Sequence, residues 1–267
     1  MLISSTKNIV ISGLLLLIPI LSLAQSSNQP GENNPYGEQI AALTNELEQE
    51  GYEINQLLDD NRFELYDSIG DRFRNSAEKK TLGIEEYKRL LNFEDKIARG
   101  IDFIEMHSRQ LQKAEQQYDI PKEVITAIIG IESDFGQNIG SYNPFNVYVS
   151  MAVVNYRADF AKAQLKELLE FINRKQLDVF TLKSSYAGAM SYAQFIPYSV
   201  NKWWVGDDIF DMNNNILSVA NYLAYFEERS GSLSTAVLRY NPSDLYRDFV
   251  LELADAIEKE SMLNAGN

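Results

Sequence analysis

Hydrophobic positions recur at helical spacing along most of the chain. One run, with intervals of three, four and seven residues, predicts a long amphipathic helix from Ile97 to Tyr118. Four later runs predict further helices, over 158–173, 214–228, 232–240 and 243–258. Strand-like alternation is scarce and no internal repeat is found, so we expect an all-α fold.

Residues at the expected helix ends support this prediction. Pro121 opens a helix that continues through Glu132 and stops near Gly136, because proline suits the start of a helix and glycine its end. Ser232 and Ser243 stand where the side-chain oxygen of an N-cap is needed.

The N-terminus carries the three parts of a secretory signal peptide. One cation, Lys7, precedes an apolar run from Ile9 to Leu23, and small residues come before Gln25. A retained membrane anchor is the alternative, but the run is shorter than the roughly 20 residues that span a bilayer, and Pro19 interrupts it. We therefore expect a cleaved signal over 1–24 and a soluble mature protein that is periplasmic or exported.

Composition divides the remaining chain. Residues 25–37 are rich in Ser, Asn, Gln, Pro and Gly, which is typical of a flexible linker. Residues 38–84 are charged and have few caps, so we expect a peripheral N-terminal helical segment there. The main domain is expected over 85–258 and a short C-terminal tail over 259–267.

Composition also removes most enzyme chemistries. The chain is 45% hydrophobic and 23% charged, unlike a disordered tail or a membrane bundle. Its 24 basic and 38 acidic residues give a net charge of −14, which argues against nucleic-acid partners. The lack of cysteine excludes disulfides, zinc–thiolate and iron–sulfur sites, and a cysteine nucleophile. The single histidine, His107, lies beside the apolar run and is expected to be a packed or surface residue.

Carboxylates remain as acid–base groups, and Glu132 has an unusual position. Ile129, Ile128 and Ile125 precede it by three, four and seven residues, which places its side chain on the apolar face of its helix. Burial and the helix C-terminus both raise the pKa of a carboxyl group, the direction that a general acid at neutral pH requires. The alternative is an ordinary glutamate whose stem covers apolar surface.

Two more stretches combine unusual residues. In 186–197, Gly188 allows close backbone approach, and Gln194 adds an amide that donates and accepts hydrogen bonds. A small-residue contact between helices would explain Gly188 but not Gln194. In 239–243, Asn241 precedes a proline at a turn, and a plain helix connector is the alternative.

Taken in order, these stretches resemble the membrane-bound lytic transglycosylase B family of peptidoglycan lyases, over about two thirds of the chain. Residues 127–136, AIIGIESDFG, resemble the family's catalytic helix, which ends in Glu-Ser. Residues 183–197, KSSYAGAMSYAQFIP, resemble its cleft segment, and Tyr240 with Asn241 resembles the pair that faces the catalytic glutamate. Residues 218–223, SVANYL, resemble the helix before that pair.

The resemblance implies a lysozyme-like, SLT-type helical core. It also implies cleavage of the β-1,4 bond between N-acetylmuramic acid and N-acetylglucosamine in peptidoglycan strands. In that lyase reaction, protonated Glu132 would donate to the glycosidic oxygen, and its carboxylate would then take the proton of the C6 hydroxyl, which closes onto C1 as a 1,6-anhydro ring. One carboxylate serves both steps, so a paired Asp or Glu is not needed. We expect no cofactor and no metal.

The same resemblance implies supporting roles for residues around Glu132. Ser133 and Tyr240 would orient Glu132 or the reacting sugar. Gln194 and Asn241 would form hydrogen bonds with the glycan and hold it in position.

An aromatic side chain would complete the site. By the resemblance, Tyr192 or Phe195 would supply an apolar face for the sugar ring. Besides glycan strands, cell-wall enzymes are the candidate partners that the family suggests, and we expect a monomer.

Three departures from the family pattern change these expectations. There is no lipid-attachment cysteine, which favours a soluble exported form. A calcium loop read from Asp211 has Ile216 at position six, where glycine is required, and Tyr222 at position twelve, where glutamate is required. We therefore expect no calcium site, with Asp208 and Asp211 acting as loop carboxylates or caps. Ser191 stands where the family often has glycine.

Two other functions remain open at this point. A lysozyme-type hydrolase would need a second carboxylate, such as Asp134 or Asp208, roughly 5–9.5 Å from Glu132. Asp134 is only two residues away and points elsewhere on a helix, which counts against it. A non-catalytic envelope protein that binds glycan is the third reading, although a binding module needs no proton donor.

Overall fold

The computed structural model describes residues 35–75 and 83–265. The predicted signal peptide and nearly all of the predicted linker lie outside these ranges. Thirteen α-helices and one short 3₁₀ helix, Val179–Thr181, form within them. The helices are α1 Gly37–Gln49, α2 Asn55–Leu58, α3 Ile69–Asn75, α4 Ile84–Leu90, α5 Phe93–Met106, α6 Ser108–Tyr118, α7 Lys122–Ser133, α8 Pro144–Val153, α9 Ala158–Lys175, α10 Pro197–Trp203, α11 Met212–Ser230, α12 Leu233–Tyr240 and α13 Asp244–Ala265. In the described part of the chain, β-pairing is limited to isolated bridges, so the predicted all-α class is confirmed.

The described residues form two compact units. Unit 1 comprises residues 83–131 and 216–265, and unit 2 comprises residues 35–75 and 132–215. Across the helices of the described ranges, none has the combination of length and apolar character that crossing a bilayer requires.

In unit 1, α13 packs against α4, α5 and α12. Tyr87 and Phe93 each meet Phe249 edge to face, with ring centroids 5.2 and 5.4 Å apart. Gly100 permits the close approach of α5 and α13, because a Cβ atom there would lie 2.5 Å from Cδ1 of Ile257. Aromatic and aliphatic packing along one side of α13 therefore forms the core of this unit.

A buried lysine in unit 1 satisfies the last turn of α7. The Lys96 side chain is 6% exposed, and its Nζ donates to the carbonyl oxygen of Gly130 at 2.8 Å. The last carbonyl groups of a helix have no partner within the helix, so a cation at this end stabilises both the carbonyl group and the helix dipole.

In unit 2, α8 is the central helix. Nine of its residues are buried, and it contacts α1, α3 and α9. Its N-terminus is capped by Asn143, whose side chain accepts hydrogen bonds from the backbone N–H groups of Phe145 and Asn146. Residues 35–75 of the chain pack within this unit, where Lys162 Nζ lies 2.5 Å from Glu46 Oε2 and so links α9 to α1.

The predicted long helix from Ile97 to Tyr118 is wrong, because two helices occupy this stretch. The chain leaves helical geometry at His107, where φ is −110° and ψ is 20°. The His107 ring packs 4.5 Å from that of Phe103, as expected for a packed histidine. The buried face of α5 is also offset from the predicted face, since Lys96, Gly100 and Phe103 are its buried residues.

The other predicted helices are confirmed within two residues at their starts. The helix predicted over 243–258 extends to Ala265, into the stretch that we expected to be the tail. Ser232 and Ser243 accept hydrogen bonds from backbone N–H groups three residues later, at 3.3 Å in both cases. Both predicted N-caps are therefore confirmed.

Candidate active site

Helix α7 carries a run of buried isoleucines and ends at the buried Glu132 and Ser133. Ile125, Ile128 and Ile129 are 0% exposed, and Glu132 is 4% exposed. The predicted burial of Glu132 is thus confirmed. The spacing predicted a single apolar face, but every residue over 123–130 is buried, so the helix is enclosed on almost all sides there. Desolvation of this kind favours the neutral form of a carboxyl group.

A left-handed turn follows Glu132 directly. Asp134, Phe135 and Gly136 have φ values of 53°, 58° and 88°. The Oγ atom of Ser133 accepts a hydrogen bond from the N–H of Gly136 at 3.1 Å and so closes the turn. For residues other than glycine this conformation costs about 1–2 kcal/mol each, so the turn places backbone strain beside the candidate acid.

Packing at Gly136 joins this turn to the stretch 186–197, which the sequence analysis singled out. A Cβ atom at Gly136 would lie 2.7 Å from Cε of Met212 and 3.4 Å from Cδ1 of Tyr192. Glycine adopts the positive φ without strain and fits here without displacing the end of the Met212 side chain. Within unit 2, the structure therefore brings the turn that follows Glu132 and Ser133 next to the segment that carries Tyr192 and Gln194.

That segment is a tight loop rather than a helix. Met190 and Phe195 exchange two backbone hydrogen bonds of 2.8 Å, which close a loop over residues 191–194. Ser191 and Gln194 have φ values of 68° and 50°. Glycine adopts a left-handed backbone without strain, which explains why it suits this position in the family that the sequence resembles.

Gln194 presents a buried acceptor in this loop. Its side chain is 8% exposed, and Nε2 donates to the carbonyl oxygen of Ser191 at 2.9 Å. Its Oε1 atom is buried and has no hydrogen-bond partner among the described residues. A buried acceptor without a partner is costly, so this oxygen is suited to accept a hydrogen bond from a bound ligand.

The two aromatic candidates differ in exposure. Phe195 is 3% exposed and packs edge to face on Trp204, with centroids 6.2 Å apart. Tyr192 is half-buried. Of the two, Tyr192 is therefore the better placed to meet a sugar ring.

Close backbone approach at Gly188, predicted from the small residues, is confirmed. The Tyr148 hydroxyl donates to the carbonyl oxygen of Gly188 at 2.9 Å, and a Cβ atom at Gly188 would lie 2.4 Å from Cζ of Tyr148. Tyr148 is 0% exposed, and burial raises the pKa of its hydroxyl, which keeps the group a donor. The contact is made with a side chain, so the alternative of a small-residue contact between helices is wrong.

We expect Tyr148→Phe to lower the free energy of unfolding by about 1–2 kcal/mol, because the carbonyl of Gly188 loses its buried donor. Urea denaturation measures this difference. Tyr118→Phe is the matched control, since Tyr118 is half-buried in α6. Equal effects of the two substitutions would contradict a specific role for the Tyr148 hydroxyl.

Asn215 holds the loop in position and was not found from the sequence. It is 0% exposed; its Oδ1 accepts from the N–H of Ala193 at 2.9 Å, and its Nδ2 donates to the carbonyls of Ile209 and Asp211 at 3.0 and 2.7 Å. The available signal was its helical spacing to Val219 and Leu223, four and eight residues later and both 0% exposed. Asn215 therefore connects the Gln194 loop to the loop before α11.

The acidic residues before α11 act as caps, as expected. Asp208 Oδ1 accepts from the N–H of Phe210 at 2.8 Å, and Asp211 Oδ1 accepts from the N–H of Asn214 at 2.9 Å. Lys175 Nζ lies 2.7 Å from Asp207 and lowers the pKa of that carboxyl group. A search of the described residues for three or more His, Asp or Glu side chains grouped as metal ligands finds none.

Tyr240 and Asn241 lie at the end of α12 in unit 1. Asn241 is 2% exposed; its N–H donates to the carbonyl of Val237 at 3.2 Å. Tyr222 supports the pair, because its hydroxyl donates to the carbonyl of Arg239 at 2.7 Å and its ring lies 4.9 Å from that of Tyr240. The pair thus lies at a packed and hydrogen-bonded helix end, and the alternative of a plain helix connector stays open.

Comparison with known proteins gives a family for this architecture. The family model described as "Transglycosylase SLT domain" matches residues 36–232. The chain is 33% identical over 144 residues to membrane-bound lytic murein transglycosylase B of Escherichia coli (strain K12). That match covers 51% of this chain and 40% of the relative, so the chain spans less than half of the relative's length.

Solved structures share the fold. Soluble lytic transglycosylase SltB1 from Pseudomonas aeruginosa matches with a TM-score of 0.72 and 27% identity, over 84% of this chain and 99% of that one. Escherichia coli Slt35 in complex with calcium matches with a TM-score of 0.70 and 21% identity, over 85% and 94%. The predicted lysozyme-like SLT-type fold is therefore confirmed. Because the family model covers most of the sequence, the chain belongs to the transglycosylase SLT domain family.

Proposed function

We propose that this protein is an exported lytic transglycosylase that cleaves the β-1,4 bond between N-acetylmuramic acid and N-acetylglucosamine in peptidoglycan. The observation that carries the proposal is Glu132, a carboxyl group 4% exposed at the end of a buried apolar helix. Family membership and the similarity to lytic transglycosylases support the reaction class.

Glu132 acts first as the general acid. Burial favours the neutral form of a carboxyl group, so Glu132, which is 4% exposed, is the candidate to donate a proton to the glycosidic oxygen as the bond to C1 breaks. The electron pair of that bond leaves with the oxygen, which becomes the hydroxyl of the departing N-acetylglucosamine. The 2-acetamido group or nearby dipoles stabilise the positive charge that develops at C1.

Glu132 acts next as the general base. Its carboxylate takes the proton of the C6 hydroxyl while O6 bonds to C1, which gives the 1,6-anhydro ring and restores the protonated acid. Water is neither consumed nor released, so a second carboxylate is unnecessary. Of the two candidates for that second group, Asp208 is already engaged with the backbone of Phe210, which disfavours the hydrolase reading.

The surrounding residues hold the sugar in place. The Ser133 hydroxyl, which closes the turn after Glu132, orients the acid, and the unpartnered Oε1 of Gln194 accepts from a sugar hydroxyl or amide. Tyr192 supplies the apolar face, and the sequence resemblance alone assigns Tyr240 and Asn241 their proposed role in orienting the reacting sugar. The partner is the glycan strand, and we propose a monomeric enzyme without cofactor or metal.

Product analysis tests the proposal. We expect digestion of purified peptidoglycan sacculi to release fragments that end in 1,6-anhydro-N-acetylmuramic acid, which weigh one water less than hydrolysis products. Mass spectrometry separates the two. Fragments with only reducing N-acetylmuramic acid ends would overturn the lyase reaction in favour of hydrolysis, and no fragments at all would favour a glycan-binding protein.

A further inference from the structure

Unit 2 contains a cavity of about 340 Å³ between residues 51–57 and the end of α9. This volume lies within the range of small-molecule sites, about 300–1,000 Å³. None of the residues assigned above to the candidate active site lines it. Residues 51–57 therefore line a cavity that has no role in the proposed reaction.

The floor of the cavity is apolar. Leu169, Ile172 and Val179 are 3%, 6% and 1% exposed, and Leu177 lies at the rim with 37% of its surface exposed. A floor of this kind takes up methyl groups and the C–H face of a ring. It does not by itself select a ligand.

The walls carry hydroxyl and amide groups in fixed orientations. The Tyr52 hydroxyl donates to Glu170 Oε1 at 2.7 Å, so its lone pairs remain to accept. Nδ2 of Asn55 donates to Glu48 Oε1 at 2.6 Å, which leaves Oδ1 and one N–H for a ligand. Gln56 and Asn173 add two more exposed amides to the lining.

The charges around the cavity exclude anions. Glu53 and Asp178 line it, and the lining contains no cation. Asp178 is engaged by Arg62 Nη1 at 2.6 Å and by the N–H of Phe180, so it shapes the wall rather than binding a cation. A neutral ligand with hydroxyl and amide groups fits these walls best.

We propose that this cavity is a second glycan site that binds one N-acetylated amino sugar, with the acetamido methyl on the apolar floor and the hydroxyl and amide groups on Tyr52, Asn55 and Asn173. The choice of a peptidoglycan strand as the source of that sugar rests on the proposed function. Binding here would hold a strand while another part of it is cleaved, which raises the effective concentration of the glycan.

Tri-N-acetylchitotriose is a suitable neutral probe. It is titrated into full-length Glu132→Gln protein, and methyl NMR signals of Leu57 and Leu177 report on the cavity. We expect these signals to shift, and the shifts to persist when Gln194→Ala is added, because Gln194 lies outside the lining. Signals that stay unchanged at millimolar probe would overturn the proposal.

Asn173→Trp fills the mouth of the cavity, and Gln116→Trp, at an exposed position of α6, is the matched control. We expect Asn173→Trp to weaken binding of the probe about fivefold to tenfold and to slow digestion of sacculi while leaving cleavage of a soluble tetrasaccharide unchanged. Equal effects of the two tryptophans would overturn the proposal. Loss of the 1,6-anhydro products from wild type, with probe binding intact, would instead contradict the proposed function alone.

Discussion

Replacing Glu132 with glutamine is expected to lower the rate of 1,6-anhydro product release from sacculi by about 10³-fold or more. Glutamine keeps the size of the side chain but can neither donate the proton to the glycosidic oxygen nor take the proton of the C6 hydroxyl. Quantification of anhydro fragments over time measures the rate. Because the residue is 4% exposed, thermal unfolding of the variant checks that the fold is retained.

Glu123→Gln is the matched control. Glu123 is 9% exposed on the same helix and pairs with Lys122, whose Nζ lies 2.9 Å away. Its substitution removes a carboxylate at the opposite end of α7, and we expect little change in the rate. A Glu132→Gln rate within about tenfold of wild type, or equal losses for both variants, would contradict the assignment of Glu132 as the acid.

Asn215→Ala is expected to lower the free energy of unfolding by about 3 kcal/mol, since the three hydrogen bonds of this buried side chain are lost together. The groups that lose this partner include the N–H of Ala193, next to Gln194, which would keep a longer hydrogen bond of 3.3 Å to Ser191 Oγ. We therefore also expect slower cleavage at temperatures where the variant is fully folded. Urea denaturation and the sacculus assay measure the two effects.

Asn213→Ala serves as the comparison for this change. Asn213 is exposed and belongs to the same run of three asparagines. Substitutions at exposed positions usually change stability by less than about 0.5 kcal/mol. If Asn215→Ala unfolded at the same urea concentration as Asn213→Ala, the proposed role of Asn215 in holding the loop would be wrong.

Local periodicity and capping residues predicted α7, α9, α11, α12 and α13, but they did not predict α8, the central helix of unit 2, or which residues of α5 are buried. The pattern over 158–173 gave a helix observed at Ala158–Lys175, because its spacing continues without interruption. The break at His107 carries no proline or glycine that would mark it. The buried face of α5 includes Lys96, whose burial depends on the carbonyl of Gly130 in a later helix. Such a contact has no signature in local spacing.

In the candidate site, too, features visible in the local sequence were predicted and features that depend on distant contacts were missed. Glu132 and Gly188 were found because a carboxylate among isoleucines and a glycine among small residues are unusual in the sequence itself. Asn215 was missed because its partner Ala193 lies 22 residues away, and a buried asparagine looks like a loop residue. The left-handed backbone at Asp134 and Phe135 was missed because neither residue type requires it.

The left-handed turn after Glu132 sets a limit on how far this protein can be stabilised by engineering. Glycine at Asp134 or Phe135 would relieve the backbone, yet it would also free the segment that fixes the end of α7. A gain in melting temperature at this turn is therefore coupled to looser positioning of the proposed proton donor. Substitutions that raise the melting temperature are better placed elsewhere in the chain, where they do not loosen the position of Glu132.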